Sequence, residues 1–125
     1  MESNFIIDLL RGKDTAVQLY DEIKDASLAV TAIASVALFE ILRGEEQNQD
    51  KIQKFEELRQ KMAVLPFGEE EAEEASEIEK AIHQKGQTIS SLDLLIGATA
   101  KTNKAILISN DSDYHRIDGL QLLNY

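Results

Sequence analysis

Two neighbouring runs decide how this chain folds: Ile89-Ser90-Ser91-Leu92-Asp93-Leu94-Leu95-Ile96-Gly97-Ala98-Thr99-Ala100, and Ala105-Ile106-Leu107-Ile108-Ser109-Asn110-Asp111-Ser112-Asp113. Ser90 or Ser91 supplies a cap for a helix from Leu92 to about Asn103, and its apolar and small residues let it lie tightly against a sheet. The unbroken apolar run of residues 105–108 reads as a strand covered on both faces, because it lacks the polar alternation of a half-exposed strand. A loop of Ser, Asn and Asp follows at once.

The same alternation extends outward from these runs. Ile6, Leu9 and Leu10 mark a short first helix ending near Gly12, and Val17, Leu19, Tyr20 and Ile23 mark a second to about Lys24. Leu28 to Ile33 reads as a strand. Ser35 is placed to cap a helix running to about Gly44, and Ile52, Phe55, Leu58 and Met62 give the inner face of the next. Ala63-Val64-Leu65 before Pro66, the sole proline, reads as a short strand. Ala72, Ala75, Ile78 and Ile82 place a helix over the acidic segment, Gly86 stops it, and Leu120 to Leu123 offers a last strand. Short apolar strands separated by helices predict an α/β fold, a three-layer α/β/α sandwich with a mostly parallel central sheet. With no repeat or linker, residues 1–125 are expected to form a single domain. In such sheets the ligand crevice lies beyond the carboxyl ends of the strands.

Composition narrows the chemistry. The chain has 125 residues, 43% of them apolar and 29% charged, with no cysteine, which excludes disulfides, thiolate metal sites and thiol nucleophiles. No apolar run approaches the roughly 20 residues of a membrane helix, and Glu2 ahead of the first apolar cluster argues against a secretory leader. The expected location is the cytoplasm, with no membrane partner. A net charge of −10 argues against gripping nucleic acid by bulk electrostatics. Seven of the acids lie between Phe67 and Lys85 and are read as the solvated face of the acidic helix.

Other acids occupy more informative positions. Glu40 interrupts Val36-Ala37-Leu38-Phe39-Glu40-Ile41-Leu42, so a carboxylate is expected to be buried with its helix. It either pairs with Arg43 or a lysine, or it serves a metal or a reaction. Asp93, in the first turn of its helix, is either a helix-start acid or a ligand at the mouth of the sheet. Asp111 and Asp113 follow the strand of residues 105–108, where a ligand site is expected, although turns of this composition also form for their own backbone hydrogen bonds. Glu2 complements a helix dipole or joins the others.

Taken in order, Glu2-Ser3-Asn4-Phe5-Ile6-Ile7-Asp8-Leu9-Leu10-Arg11-Gly12, Thr31 with Phe39-Glu40-Ile41-Leu42-Arg43-Gly44, Ile89-Ser90-Ser91-Leu92-Asp93 with Ile96-Gly97-Ala98, and Ser109-Asn110-Asp111-Ser112-Asp113-Tyr114 ahead of Ile117-Asp118-Gly119-Leu120 resemble a PIN domain of the VapC toxin type over essentially the whole chain. The resemblance implies four acids from distant segments that bind Mg²⁺ or Mn²⁺ and cleave RNA. Glu2, Glu40, Asp93 and Asp111 match the four, with Asp113 competing for the last place. Ser3 and Ser109 match hydroxyl residues that orient carboxylates or water. It further implies a small antitoxin protein that occludes the site, and a homodimer. The family usually has Asp at the first position, preceded by an apolar strand. Here Glu2 follows Met1 directly, which implies a mis-assigned start or a shortened product.

The chemistry suits these residues in its own right. Clustered carboxylates need a cation to remain ionised together, and hard oxygen donors select Mg²⁺ or Mn²⁺. Such an ion activates water and offsets charge on a phosphodiester transition state. Asp93 and Glu2 are expected as principal ligands, Asp111 as a ligand directly or through water, and Glu40 as a ligand or general base. His83 and His115 fall outside this set, and Arg11, Arg43, Lys101 and Arg116 are candidate RNA contacts. The competing reading is a PIN-like module weakened in catalysis by the Glu2 change and acting by binding a partner or RNA. A phosphoacceptor receiver domain fits poorly, since no lysine immediately follows Ile108.

Overall fold

The computed structural model of the chain describes residues 1–24, 31–44 and 49–125. In order they form α1 (Ser3–Leu10), α2 (Asp14–Lys24), β1 (Ala32–Ala34), α3 (Ser35–Arg43), α4 (Gln49–Arg59), β2 (Ala63–Leu65), α5 (Glu69–Gln84), α6 (Ser91–Thr102), β3 (Ile106–Ile108), a 3₁₀ turn (Ser112–Arg116) and β4 (Gln121–Leu123). The expected strand of residues 28–33 is present as β1, and its first half, Leu28 to Val30, lies outside the described residues.

All strand pairings are parallel: β1 with β2, Ile33 opposite Val64, and β3 with β4, Leu107 opposite Leu122. Each pair is its own two-stranded sheet. What joins them is the start of the chain. The Met1 ammonium donates to the Ala32 carbonyl at 2.5 Å and the Glu2 amide donates to the Ile108 carbonyl at 3.3 Å. Successive residues thus bond to opposite neighbours, as an interior strand does, and residues 1 and 2 act as a two-residue strand between β1 and β3.

Helix α6 packs on β1 and β3 and is covered in turn by α5, while α1 packs on α2, α3 and α4, and α3 on β1. The result is the expected α/β sandwich, with Phe5, Ile6, Ile33, Ala37, Ile82, Ile96 and Ala98 nearly inaccessible at its centre. Gly97 permits the close seat of α6, because a Cβ there would lie 2.4 Å from the Ile117 side chain. The far side of α5 carries Glu69, Glu70 and Glu71 in its first turn, while Ala75, Ile78 and Ile82 face inward, as the periodicity predicts.

Two local expectations are corrected. Ala34, not Ser35, holds the cap position of α3, and no side chain caps that helix end. The helix leaves β1 without an intervening turn, so Ser35 is already helical. Nor is α3 buried all round: Phe39 and Leu42 are exposed, and Glu40 is half-buried. Apolar residues outnumber the inward positions of this helix, and only Ala37, Leu38 and Ile41 of its residues reach the interior.

Candidate metal centre

The acids converge where the strands end. Glu2 follows the two-residue strand and is the N-cap of α1, its Oε2 accepting from the Asn4 amide at 3.0 Å. It serves the helix start as expected, yet it is 2% exposed. The Ser3 hydroxyl, also buried, lies 3.1 Å from Glu2 Oε1 and 3.0 Å from Glu40 Oε1, so one proton is shared between carboxylates on α1 and α3. Arg43, a possible partner of Glu40, instead stacks over the Phe39 ring at 5.0 Å.

Asp93 reaches the same place from α6. Ser90 caps that helix, its hydroxyl accepting from the Asp93 amide at 3.3 Å, which fixes the first turn. Beyond β3, the buried Ser109 hydroxyl accepts from the Asp111 amide at 3.0 Å, and Asp111 Oδ1 accepts from the Asp113 amide at 2.9 Å. The loop thus makes the backbone hydrogen bonds of its own turns, while Asp93, Asp111 and Asp113 each present a carboxylate oxygen within 4.8 Å of the others. Asp113 also pairs with Arg116 at 3.3 Å.

Tyr114 links the two halves of the cluster and carried no sequence signal beyond being an aromatic after an acidic loop. It is fully buried and its hydroxyl donates to Asp93 Oδ1 at 3.2 Å. Burial, with the charges of Glu2, Asp93 and Glu40 around it, holds the phenol well above its ordinary range, so it remains a neutral donor. Burial also raises the pKa of Glu2. Bonds from Asn4, Ser3 and Phe5 oppose that rise and the charge of Asp93 adds to it. Three carboxylates and one phenol therefore share a small volume in which each ionised group raises the cost of the next.

The histidines stand apart, as expected: His83 is exposed in the last turn of α5 and His115 on the 3₁₀ turn. Of the candidate RNA contacts, Lys101 pairs with Glu74 at 2.9 Å, and Arg116 donates to the Thr88 carbonyl at 2.8 Å. Arg11 lines an apolar cavity of about 120 Å³ beside Glu40, together with Ile7, Leu10, Ile41 and Phe55.

Residues 1–120 match the family described as PIN domain. The chain belongs to the PIN domain family. Among curated relatives, Ribonuclease VapC1 of Rickettsia felis is 31% identical over 98% of this chain and 92% of its own length. Ribonuclease VapC of Rickettsia bellii is 33% identical with the same coverage. Among solved structures, VapBC2 from Rickettsia felis, bound to a DNA fragment from its promoter, superposes with a TM-score of 0.87 at 22% identity, covering 99% of this chain and 96% of that one. FitAcB from Neisseria gonorrhoeae gives a TM-score of 0.79 at 22% identity, covering 98% and 94%. The α/β architecture derived from strand and helix alternation is thus that of the PIN fold.

Proposed function

We propose that this PIN domain is a metal-dependent endoribonuclease and the toxin of a type II toxin-antitoxin pair. One observation supports this above the others: Asp93, Asp111 and Asp113, from two distant segments, each present a carboxylate oxygen within 4.8 Å of the others, and Asp93 also acts electrostatically on Glu2, which Ser3 ties to Glu40. The donor set fits a hard divalent cation, Mg²⁺ or Mn²⁺, because every candidate ligand is an oxygen. Glu2, Asp93 and Asp111 would hold it, with Glu40 as a further ligand or as the base, and Asp113 as the alternative to Asp111. When bound, such an ion lowers the pKa of a coordinated water and offsets charge on the phosphodiester transition state.

The protein's own part is orientation and proton management. Ser3 restrains the Glu2 and Glu40 carboxylates relative to each other, Tyr114 restrains Asp93, and Ser109 restrains the backbone of Asp111. Glu40, half-buried rather than enclosed, would take a proton from water and return it to solvent when it serves as the base. The whole chain acts as one catalytic domain. The ribonuclease names of the curated relatives support RNA as the substrate, and the VapBC complexes support a small antitoxin. The cavity beside Glu40 and the exposed Phe39 and Leu42 give α3 a surface for such a partner or for a second copy in a homodimer. No helix among the described residues is long and apolar enough to cross a membrane.

The test is cleavage of single-stranded RNA with Mg²⁺ or Mn²⁺ by the wild type and by Asp93→Asn. Loss of cleavage in the variant is expected. Equal cleavage would remove Asp93 from the mechanism, and a wild type that takes up Mn²⁺ without cutting RNA would favour the binding-module reading.

A further inference from the structure

The pairing of β3 with β4 does not stop where the strands end. The Ser109 amide donates to the Leu123 carbonyl at 3.0 Å, continuing the ladder by one rung. At the next rung a side chain takes over from the backbone. Asn110 Oδ1 accepts from the Tyr125 amide at 2.7 Å, and Asn110 Nδ2 donates to the Tyr125 carbonyl at 2.8 Å. One carboxamide thereby satisfies both backbone groups of Tyr125, and it belongs to the residue immediately before Asp111.

The other end of Tyr125 reaches α1. Its ring meets Phe5 edge-on, with centroids 4.9 Å apart at 68°, and its hydroxyl donates to Asp8 Oδ2 at 2.5 Å. Lys13 Nζ lies 5.3 Å above the ring and 3.7 Å from the same carboxylate. Phe5 and Asp8 sit on the helix that Glu2 caps. A single residue therefore grips the helix of the first candidate ligand and the loop of the fourth, joining segments 117 positions apart through its hydroxyl alone.

We infer that Asn110 and Tyr125 form a brace that fixes the separation of Glu2 and Asp111, making both positioning residues for a divalent cation. The inference rests on the reading of those acids as ligands. Physically, two like-charged carboxylates drift apart unless something opposes them, and a shift of a fraction of an ångström weakens coordination. The Asn110 bonds are made at an exposed residue, where water competes, so core packing does not explain their paired geometry.

The full chain carrying Asn110→Ala, Tyr125→Phe or both is to be compared with wild type by Mn²⁺ dissociation constant, read from the electron paramagnetic resonance of free Mn²⁺, and by melting temperature. Tyr125→Phe keeps the Phe5 contact, and Asn110 is exposed, so both variants should fold. Each single change is expected to weaken Mn²⁺ binding about fivefold. The double change should weaken it by less than the product, since both residues serve one brace. The Mn²⁺ concentration for half-maximal RNA cleavage should rise in step and the rate recover as Mn²⁺ is raised. Leu58→Ala, a change in the core away from the acids, should lower the melting temperature and leave Mn²⁺ affinity alone. Folded Asn110→Ala and Tyr125→Phe proteins that bind Mn²⁺ within twofold of wild type would overturn the brace. A wild type that takes up no Mn²⁺ would instead overturn the ligand assignment beneath it.

Discussion

The acid-bearing ends of the strands and the trough along them are built differently. At the carboxyl ends Glu2, Ser3, Ser109 and Tyr114 are buried, and each takes part in a hydrogen bond that fixes an acid or its backbone. Along the strands and α6 runs a trough of about 470 Å³, lined by Met1, Ala32, Leu65, Ile96, Ile106 and Leu107 among others. Ile106 is 56% exposed and Val64 44%, although both are strand residues of a parallel sheet. Order is concentrated where charges of one sign must be held together, and packing is incomplete where nothing but stability depends on it. Site and stability should therefore respond to different mutations.

Glu2→Gln sharpens the contrast most. The buried carboxylate costs stability when ionised, because its pKa is raised in the folded state, whereas the amide keeps an acceptor for Asn4 and Ser3. RNA cleavage should fall by about 100-fold while the metal-free protein melts no lower than wild type, a trade typical of functional sites. A large loss of stability in that variant would show Glu2 to be structural first. The same raised pKa sets a pH dependence. Protons compete with the cation for Glu2, so Mn²⁺ affinity should fall as pH drops, beginning at a higher pH than for an ordinary carboxylate and by about tenfold per unit for each proton displaced. Calorimetric titration between pH 8 and pH 5 checks the slope, and a flat profile would exclude Glu2 as a ligand.

In the trough the expected effects fall on stability. Adding four apolar β-branched residues ahead of Met1 would place them between β1 and β3, where Met1 and Glu2 already bond to Ala32 and Ile108. Filling the trough should raise stability by about 2 kcal/mol, measured by urea unfolding, and protect the amides of Ala32–Ala34 and Ile106–Ile108 from exchange. A serine-rich extension should do neither. The smallest effect is expected at Lys104, which also lines the trough and holds a left-handed φ of +55° at the end of α6. Lys104→Gly should add about 0.5 kcal/mol in the same assay, because glycine occupies that region without the Cβ clash.

Much of this was legible in the residues. The alternation of helices and short apolar strands carried the architecture, and the cap at Ser90, the stop at Gly86 and the acid loop after Ile108 lie where chain-local physics puts them. Glu40 is half-buried where its apolar neighbours predict full burial. Apolar spacing identified its helix, yet Phe39 and Leu42 face outward, and composition cannot tell a core face from a face kept for a partner. What stayed hidden depends on long-range closure. Nothing near Tyr114 in the chain announces its bond to Asp93, 21 positions away, and nothing near Tyr125 announces Asp8. The two-residue strand of Met1 and Glu2 was likewise invisible, since no periodicity can be read from two residues.

Glu2, Glu40, Asp93 and Asp111 are proposed to hold a divalent cation. The most direct test is the melting temperature of the wild type and of Asp93→Asn across a Mn²⁺ titration. A cation bound only by the folded form must stabilise it, by about 2.7 kcal/mol at a hundred times its dissociation constant. A saturable rise is expected in the wild type, largely abolished in Asp93→Asn. No rise in the wild type, or an equal rise in both proteins, would contradict it.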